Sequence, residues 1–196
     1  MGRDLVFEQA VPAVTLGGVS VALPPNPFLQ STREGEAALQ KAVLKIAGKA
    51  KAVADLFSGV GTFALPLAHK GRVHAVEQDK AALQALAQAA KAPSLKPVST
   101  ELRDLFKLPL TPAELNGYDA VVLDPPRAGA QAQVSALAKS QVPVIAYVSC
   151  DAASFARDAA ILVKGGYRPG PVTPIDQFLW SSHIELVGGF HRSKGR

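Results

Sequence analysis

From Lys51 onward the chain alternates strand-like runs with Ala-rich helical stretches, and this alternation constrains the fold more than any other feature. The strand-like runs fall at 52–57, 72–77, 118–124, 142–149 and 183–190. Helical stretches lie between them at about 62–69, 79–91, 131–140 and 152–163. Short connections between such units predict a parallel sheet with helices on both faces. The run Val142-Pro143-Val144-Ile145-Ala146-Tyr147-Val148 is apolar throughout, as an interior strand should be. Upstream, residues 12–23 form two short alternating segments around Gly17-Gly18, a hairpin signal. Pro24-Pro25-Asn26-Pro27 then breaks the chain. A helix is expected from about Thr32, with Leu39, Ala42, Val43 and Ile46 on one face.

The 196 residues are 48% hydrophobic, enough for one domain with a substantial core. The net charge of +5 suits a polyanionic partner without requiring one. Cys150 is the single cysteine, which excludes an internal disulfide framework and any all-cysteine metal or iron–sulfur site. Arg3, Asp4, Glu8 and Gln9 interrupt any apolar leader, and no run approaches the roughly 18–20 apolar residues of a membrane span. A cytoplasmic protein is therefore expected, with no membrane partner. The tail from His191 to Arg196 is read as a solvated end.

In a sheet of this type ligands sit beyond the carboxyl ends of the strands, and the informative residues do follow the strands. The first run ends in Asp55-Leu56-Phe57-Ser58-Gly59-Val60-Gly61-Thr62-Phe63-Ala64. Its glycines allow a tight turn close to a ligand, and the next helix offers free amides. The second run ends at Glu77, 77 − 55 = 22 residues after Asp55, where an acid can accept hydrogen bonds from ribose hydroxyls. These features alone fit a dinucleotide as well as another nucleoside. The third run ends in Asp124-Pro125-Pro126-Arg127-Ala128-Gly129, a rigid turn presenting Asp124 and Arg127. The fourth ends in Tyr147-Val148-Ser149-Cys150, just before a helix whose dipole and free amides are expected to favour thiolate.

Four segments in this order resemble the RNA uracil-C5 methyltransferases, the 23S rRNA and tRNA 5-methyluridine enzymes. They are Asp55-Leu-Phe-Ser-Gly-Val-Gly, Asp124-Pro-Pro-Arg-Ala-Gly, Val148-Ser-Cys-Asp-Ala-Ala-Ser-Phe-Ala-Arg157-Asp158 and Asp176-Gln-Phe-Leu-Trp-Ser-Ser-His-Ile-Glu185. The resemblance spans about residues 26–190. It implies a Rossmann-like class I methyltransferase: a doubly wound, mostly parallel α/β sheet with an antiparallel last strand. Residues 26–196 would form the S-adenosylmethionine-dependent domain, and 1–25 a hairpin remnant of a central domain.

Residue by residue, the resemblance implies that Gln30, Phe57, Gly59, Gly61, Glu77, Asp104 and Asp124 hold S-adenosylmethionine, with Asp104 near the adenine. Cys150 would be the nucleophile and Glu185 the proton-abstracting base; on chemical grounds Arg127 is expected to hydrogen-bond the uracil carbonyl or the enolate that forms. Thr62, where many relatives carry Asn, and Ser31-Thr32, where they read Val-Asn, depart from the pattern and affect only fine cofactor contacts.

The chemistry suits these residue types. Uracil C5 is a weak nucleophile. A thiolate added at C6 pushes electron density onto C5, and a base must afterwards remove the C5 proton. The target base must also leave its stack. The resemblance implies an RNA substrate (23S rRNA more than tRNA), a monomer, and no iron–sulfur cluster in this chain. Two related chemistries fit less well: 5-methylcytosine enzymes carry a second cysteine in the Asp-Pro-Pro region, and amino-N-methyltransferases carry an aromatic where Arg127 stands. A third reading is a cofactor-binding domain that does not act on RNA alone.

Overall fold

The computed structural model describes residues 10–177, 180–181 and 183–192. Residues 1–9, part of the 176–185 segment and the tail 193–196 lie outside the described residues. The expectation for a leader falls there, as does that of a solvated end for 193–196; His191 and Arg192 are instead the last residues of a strand, with Arg192 donating to the Ala138 carbonyl at 3.0 Å.

The chain opens with a hairpin of β1 (Ala13–Leu16) and β2 (Val19–Ala22). Its two-residue turn, Gly17-Gly18, has φ of 55° and 80°, the left-handed pair that such turns demand. Leu16, Val19 and Val21 are buried in the same core as the helices that follow, and the His69 ring bonds the Gly17 carbonyl at 2.7 Å. The hairpin is thus packed onto the body of the domain.

Helix α1 (Arg33–Ala47) starts where Thr32 caps the Gly35 amide, carries Glu34 and Glu36 in its first turn, and stops at Gly48 with φ 59°. It buries Gly35, Leu39, Val43 and Ala47, with Ala42 and Ile46 of the expected face partly buried against the same core. The alternating region then runs β3 (Ala52–Leu56), α2 (Ala64–Ala68), β4 (Arg72–Glu77), α3 (Lys80–Ala89), β5 (Val98–Leu102), α4 (Pro112–Leu115), β6 (Ala120–Leu123), α5 (Gln131–Lys139), β7 (Val144–Ser149), α6 (Ala152–Lys164), β8 (Tyr167–Ile175) and β9 (Glu185–Arg192).

Seven strands form one sheet in the order β5-β4-β3-β6-β7-β9-β8. β3 pairs in parallel with both β4 and β6, so the strand order reverses between β3 and β6. That switch point opens a crevice beyond the carboxyl ends of the strands. β9 is the reversed strand, antiparallel to β7 and to β8, as the resemblance implied. Every residue of β3 and β6 is buried, because helices cover both faces. One core lies under α1, α2, α3 and the hairpin, and a second under α4, α5 and α6. Neighbouring residues alternate between them: Val53, Ala120 and Val122 face the first, while Ala54, Val121 and Leu123 face the second.

Three elements were not expected from the sequence. β5 is a partly exposed edge strand with a polar sequence. β8 contains Pro169, Pro171 and Pro174, which argue against a strand until its place at the sheet edge and its break in register between Pro169 and Val172 are seen. α4 is a single turn held by a Thr111–Glu114 capping box with Pro112 at its start. No helix among the described residues is long and apolar enough to cross a membrane.

Candidate active site

The crevice at the switch point holds a cavity of about 380 Å³. One wall is the turn from β3 into α2. Phe57 adopts φ 64° there, and the Phe57 and Ser58 amides donate to the Val76 carbonyl, tying the turn to β4. A Cβ on Gly59 would meet nothing within 4 Å, so this glycine opens onto the cavity. Gly61 does different work. A Cβ there would stand 2.5 Å from Leu86 Cδ1, so its small size lets the turn pack on α3.

Glu77 closes β4 with its carboxylate already engaged. Its oxygens accept from the amides of Gly59 at 2.9 Å, Gln78 at 2.7 Å and Asp79 at 2.9 Å. A carboxylate has about four lone-pair positions, so room remains for a hydroxyl ligand.

The opposite wall carries the chemistry. Asp124 follows β6, Cys150 follows β7, and Glu185 opens β9. Because β9 runs antiparallel to β7, with Ser149 opposite Leu186, the next step of that register sets Cys150 against Glu185. Burial raises the Glu185 carboxyl above its usual range. Burial, with the Glu185 carboxylate nearby, pushes Asp124 up to about 7. The Cys150 thiol is likewise pushed up by burial and then by Glu185 and Asp124, with Arg127 opposing. The expectation of a thiolate favoured by the helix dipole is therefore corrected. Cys150 precedes the Asp151 N-cap of α6, and burial first, then two carboxylates from other strands, raise its pKa there.

Behind this wall runs a chain of amides. Gln177 Nε2 donates to Gln30 Oε1 at 2.9 Å, and Gln30 Nε2 reaches Asp124 Oδ2 at 3.4 Å. Gln177 crowds Gly35, where a Cβ would lie 2.4 Å from its Cγ. Asp55 is fully buried, with the Ala64 amide beside its carboxyl. Burial and the neighbouring Asp124 raise its pKa well above the ordinary carboxyl range.

Of the residues singled out in the sequence, Gln30, Phe57, Gly59, Glu77, Asp124, Arg127, Cys150 and Glu185 all line this cavity. Gly61 and Asp104 do not. Asp104 instead caps its own turn, accepting from the Phe106 and Lys107 amides and pairing with Lys107 Nζ at 3.0 Å. Phe106 packs on Phe57 with ring centroids 5.4 Å apart, so this turn meets the cavity through an aromatic contact. Three residues were not anticipated. Phe28 lines the cavity and is 77% exposed. Gln177 and Asp55 act from behind it. Gln177 stands inside the 176–185 segment and Asp55 opens the glycine segment, but only burial reveals what either does.

The donor set fits a cationic nucleoside. The Asp124 carboxyl on the cavity wall can ionise beside a positive centre, Glu77 can take a ribose, and Gly59 admits close approach.

Residues 24–192 match the family model described as tRNA (Uracil-5-)-methyltransferase. The chain is 54% identical over 194 residues to an uncharacterized RNA methyltransferase of Brucella suis, covering 98% of this chain and 46% of that protein. It is 39% identical to the 23S rRNA (uracil(1939)-C(5))-methyltransferase of Dichelobacter nodosus, over 94% of this chain and 43% of that one. The crystal structure of Pyrococcus abyssi tRNA (uracil-54, C5)-methyltransferase with S-adenosyl-L-homocysteine superimposes with a TM-score of 0.79 at 28% identity. That match covers 91% of this chain and 44% of the archaeal one. The chain thus spans somewhat less than half the length of the curated relatives it matches.

Proposed function

The chain belongs to the tRNA (uracil-5-)-methyltransferase family, and on that premise we propose that it methylates C5 of a uridine in RNA, using S-adenosylmethionine. The observation that carries this reading is the meeting of Cys150 and Glu185 on a wall shared with Asp124 and Gln30. The cofactor supplies an electrophilic methyl group. Gln30, Glu77 and Asp124, which line the cavity, would hold it, with Phe57 and Gly59 shaping the approach.

Cys150 adds to uracil C6, raising electron density at C5. Its raised pKa means that the thiol must lose its proton as it attacks; that proton passes to water, which leaves the Glu185 carboxylate on the same wall free for the later step. After methylation Glu185 takes the C5 proton, and the sulfur leaves C6. Burial gives Glu185 a proton affinity closer to neutrality, which suits a base that must hold a proton through one step. Arg127, two-thirds exposed at the rim, donates to a uracil carbonyl.

Ribosomal RNA is the favoured substrate. The supporting observation is the 39% identity to a 23S rRNA enzyme, against 28% to a tRNA enzyme. Residues 26–196 are proposed as the cofactor domain and 1–25 as a hairpin remnant of a central domain, with Leu16, Val19 and Val21 packed in the shared core.

The test is nucleoside analysis of RNA incubated with the protein and methyl-labelled cofactor. Label in 5-methyluridine is expected. Label in 5-methylcytidine, or cofactor binding with no transfer to any RNA, would overturn the reading.

A further inference from the structure

The loop after β6, residues 125–130, is strapped to α6 along one side. Arg127 Nε lies 3.4 Å from Asp151 Oδ2, at the cap of the helix. Arg157 Nη2 donates to the Ala128 carbonyl at 2.8 Å. One turn further in, the Ala130 amide donates to Asp158 Oδ2 at 2.7 Å.

Asp158 is the centre of the strap. It is fully buried. Besides the Ala130 amide, its Oδ2 accepts from the Tyr147 hydroxyl at 2.7 Å, and its Oδ1 accepts from Arg157 Nε at 2.9 Å. A buried carboxylate with three donors is well satisfied and strongly directional. It joins strand β7, helix α6 and the loop. Gly129, with φ 77°, makes the approach possible: a Cβ there would stand 2.5 Å from Arg157 Nη2 and 2.7 Å from Asp158 Oδ2.

Both ends of this arrangement reach the chemistry. Tyr147 lies three residues before Cys150 on β7, and Ala130 lies three residues after Arg127 on the loop. We propose that Asp158, through Tyr147, Ala130 and Arg157, is a positioning residue that fixes where Arg127 stands relative to Cys150. The role assigned to those two residues rests on the function proposed above, but their relative position does not.

The test uses Cys150 itself, the single cysteine of the chain, as the reporter. Three charged groups face it: Glu185 from β9 and Asp124 from the end of β6 oppose thiolate, while Arg127 from the loop favours it. Iodoacetamide alkylation of the whole chain is followed from pH 7 to 10. Arg127→Ala and Asp158→Asn should each slow the reaction at pH 8 by about threefold, and the double variant should be no slower than either single one. Leu137→Ala, a buried change in the same core, should lower the melting temperature and leave the rate unchanged. Arg157→Lys keeps the ion pair and loses the reach to the Ala128 carbonyl. It should move the rate in the same direction and guards against an Asp158 variant that fails to fold.

Alkylation of Asp158→Asn and Arg157→Lys at the wild-type rate, or effects that multiply in the double variant, would overturn the proposal. In methyl transfer, Asp158→Asn should lower kcat roughly tenfold while the cofactor Kd changes by less than about twofold. If the alkylation pattern holds but the wild-type protein methylates no RNA, the proposed function fails and the positioning role stands.

Discussion

Cys150 and Glu185 meet because β9 runs antiparallel to β7: with Ser149 set against Leu186, the next step of the register brings the thiol opposite the carboxylate. A parallel strand at this position would have carried residue 185 to the far end of the sheet. The reversed strand is therefore what brings together the proposed nucleophile and the proposed base, residues 35 apart. Cys150→Ala should abolish methyl transfer and leave cofactor binding intact. Glu185→Gln should slow turnover by about 10²–10⁴-fold and trap a covalent protein–RNA adduct that survives denaturing electrophoresis. The adduct should disappear when Cys150→Ala is added. An active Cys150→Ala enzyme would refute the assignment.

Asp124 gives a pH prediction with a definite sign. Its pKa in the folded protein is about 7, above the ordinary value of 3.8. The folded state therefore holds a proton that the unfolded chain releases. The resulting stability is fully present below pH 3.8 and is lost as the pH rises through 7. Asp124→Asn should melt like wild type near pH 4 and higher than wild type at pH 8, by on the order of 1–3 kcal/mol in chemical denaturation. Wild-type affinity for S-adenosylmethionine should rise between pH 6 and 8, since a cation favours the ionised carboxylate. A flat pH dependence of both quantities would contradict the burial of this group.

The cofactor itself should stabilise the fold. At about 100 times its dissociation constant, S-adenosylmethionine or its demethylated product should add roughly 2.7 kcal/mol, read as a raised melting temperature. Gln177→Ala should weaken binding several-fold by releasing Gln30 from its 2.9 Å hydrogen bond, although Gln177 does not itself line the cavity. Calorimetry showing NADH binding in place of S-adenosylmethionine would sink the cofactor assignment.

RNA affinity should be weak and steeply salt-dependent, because the chain carries a net charge of only +5. Filter binding between 50 and 200 mM salt is the measurement, with a fall of about tenfold or more expected. Affinity that hardly changes over that range would point to recognition by a folded surface instead of phosphate contacts.

The interior of the fold was legible in the sequence and its edges were not. β3, β4, β6 and β7 are interior strands, and their apolar residues identified each of them even where Asp55 or His74 interrupts the run. β5 and β8 are edge strands. One partnered side lets β5 be polar and β8 hold three prolines, which removed the usual signal. In the site, most candidate residues follow a strand end, and in an open α/β sheet all strand ends of one sense share one rim. Eight of them accordingly line one cavity. Gly61 and Asp104 lie in the right segments but serve α3 packing and a local turn.

The sequence by itself determined the layered α/β architecture, the family and the order of the chemical segments, because these depend on local pattern and spacing. Tertiary structure alone decided the electrostatics. The helix end beside Cys150 argued for an easily ionised thiol. The pKa instead depends on burial and on carboxylates 26 residues before and 35 after it, brought close only when β6, β7 and β9 assemble. The same holds for Asp55, Gln177 and Asp158, ordinary polar residues in the sequence. Their burial, and the partners that satisfy them or fail to, exist only in the folded chain.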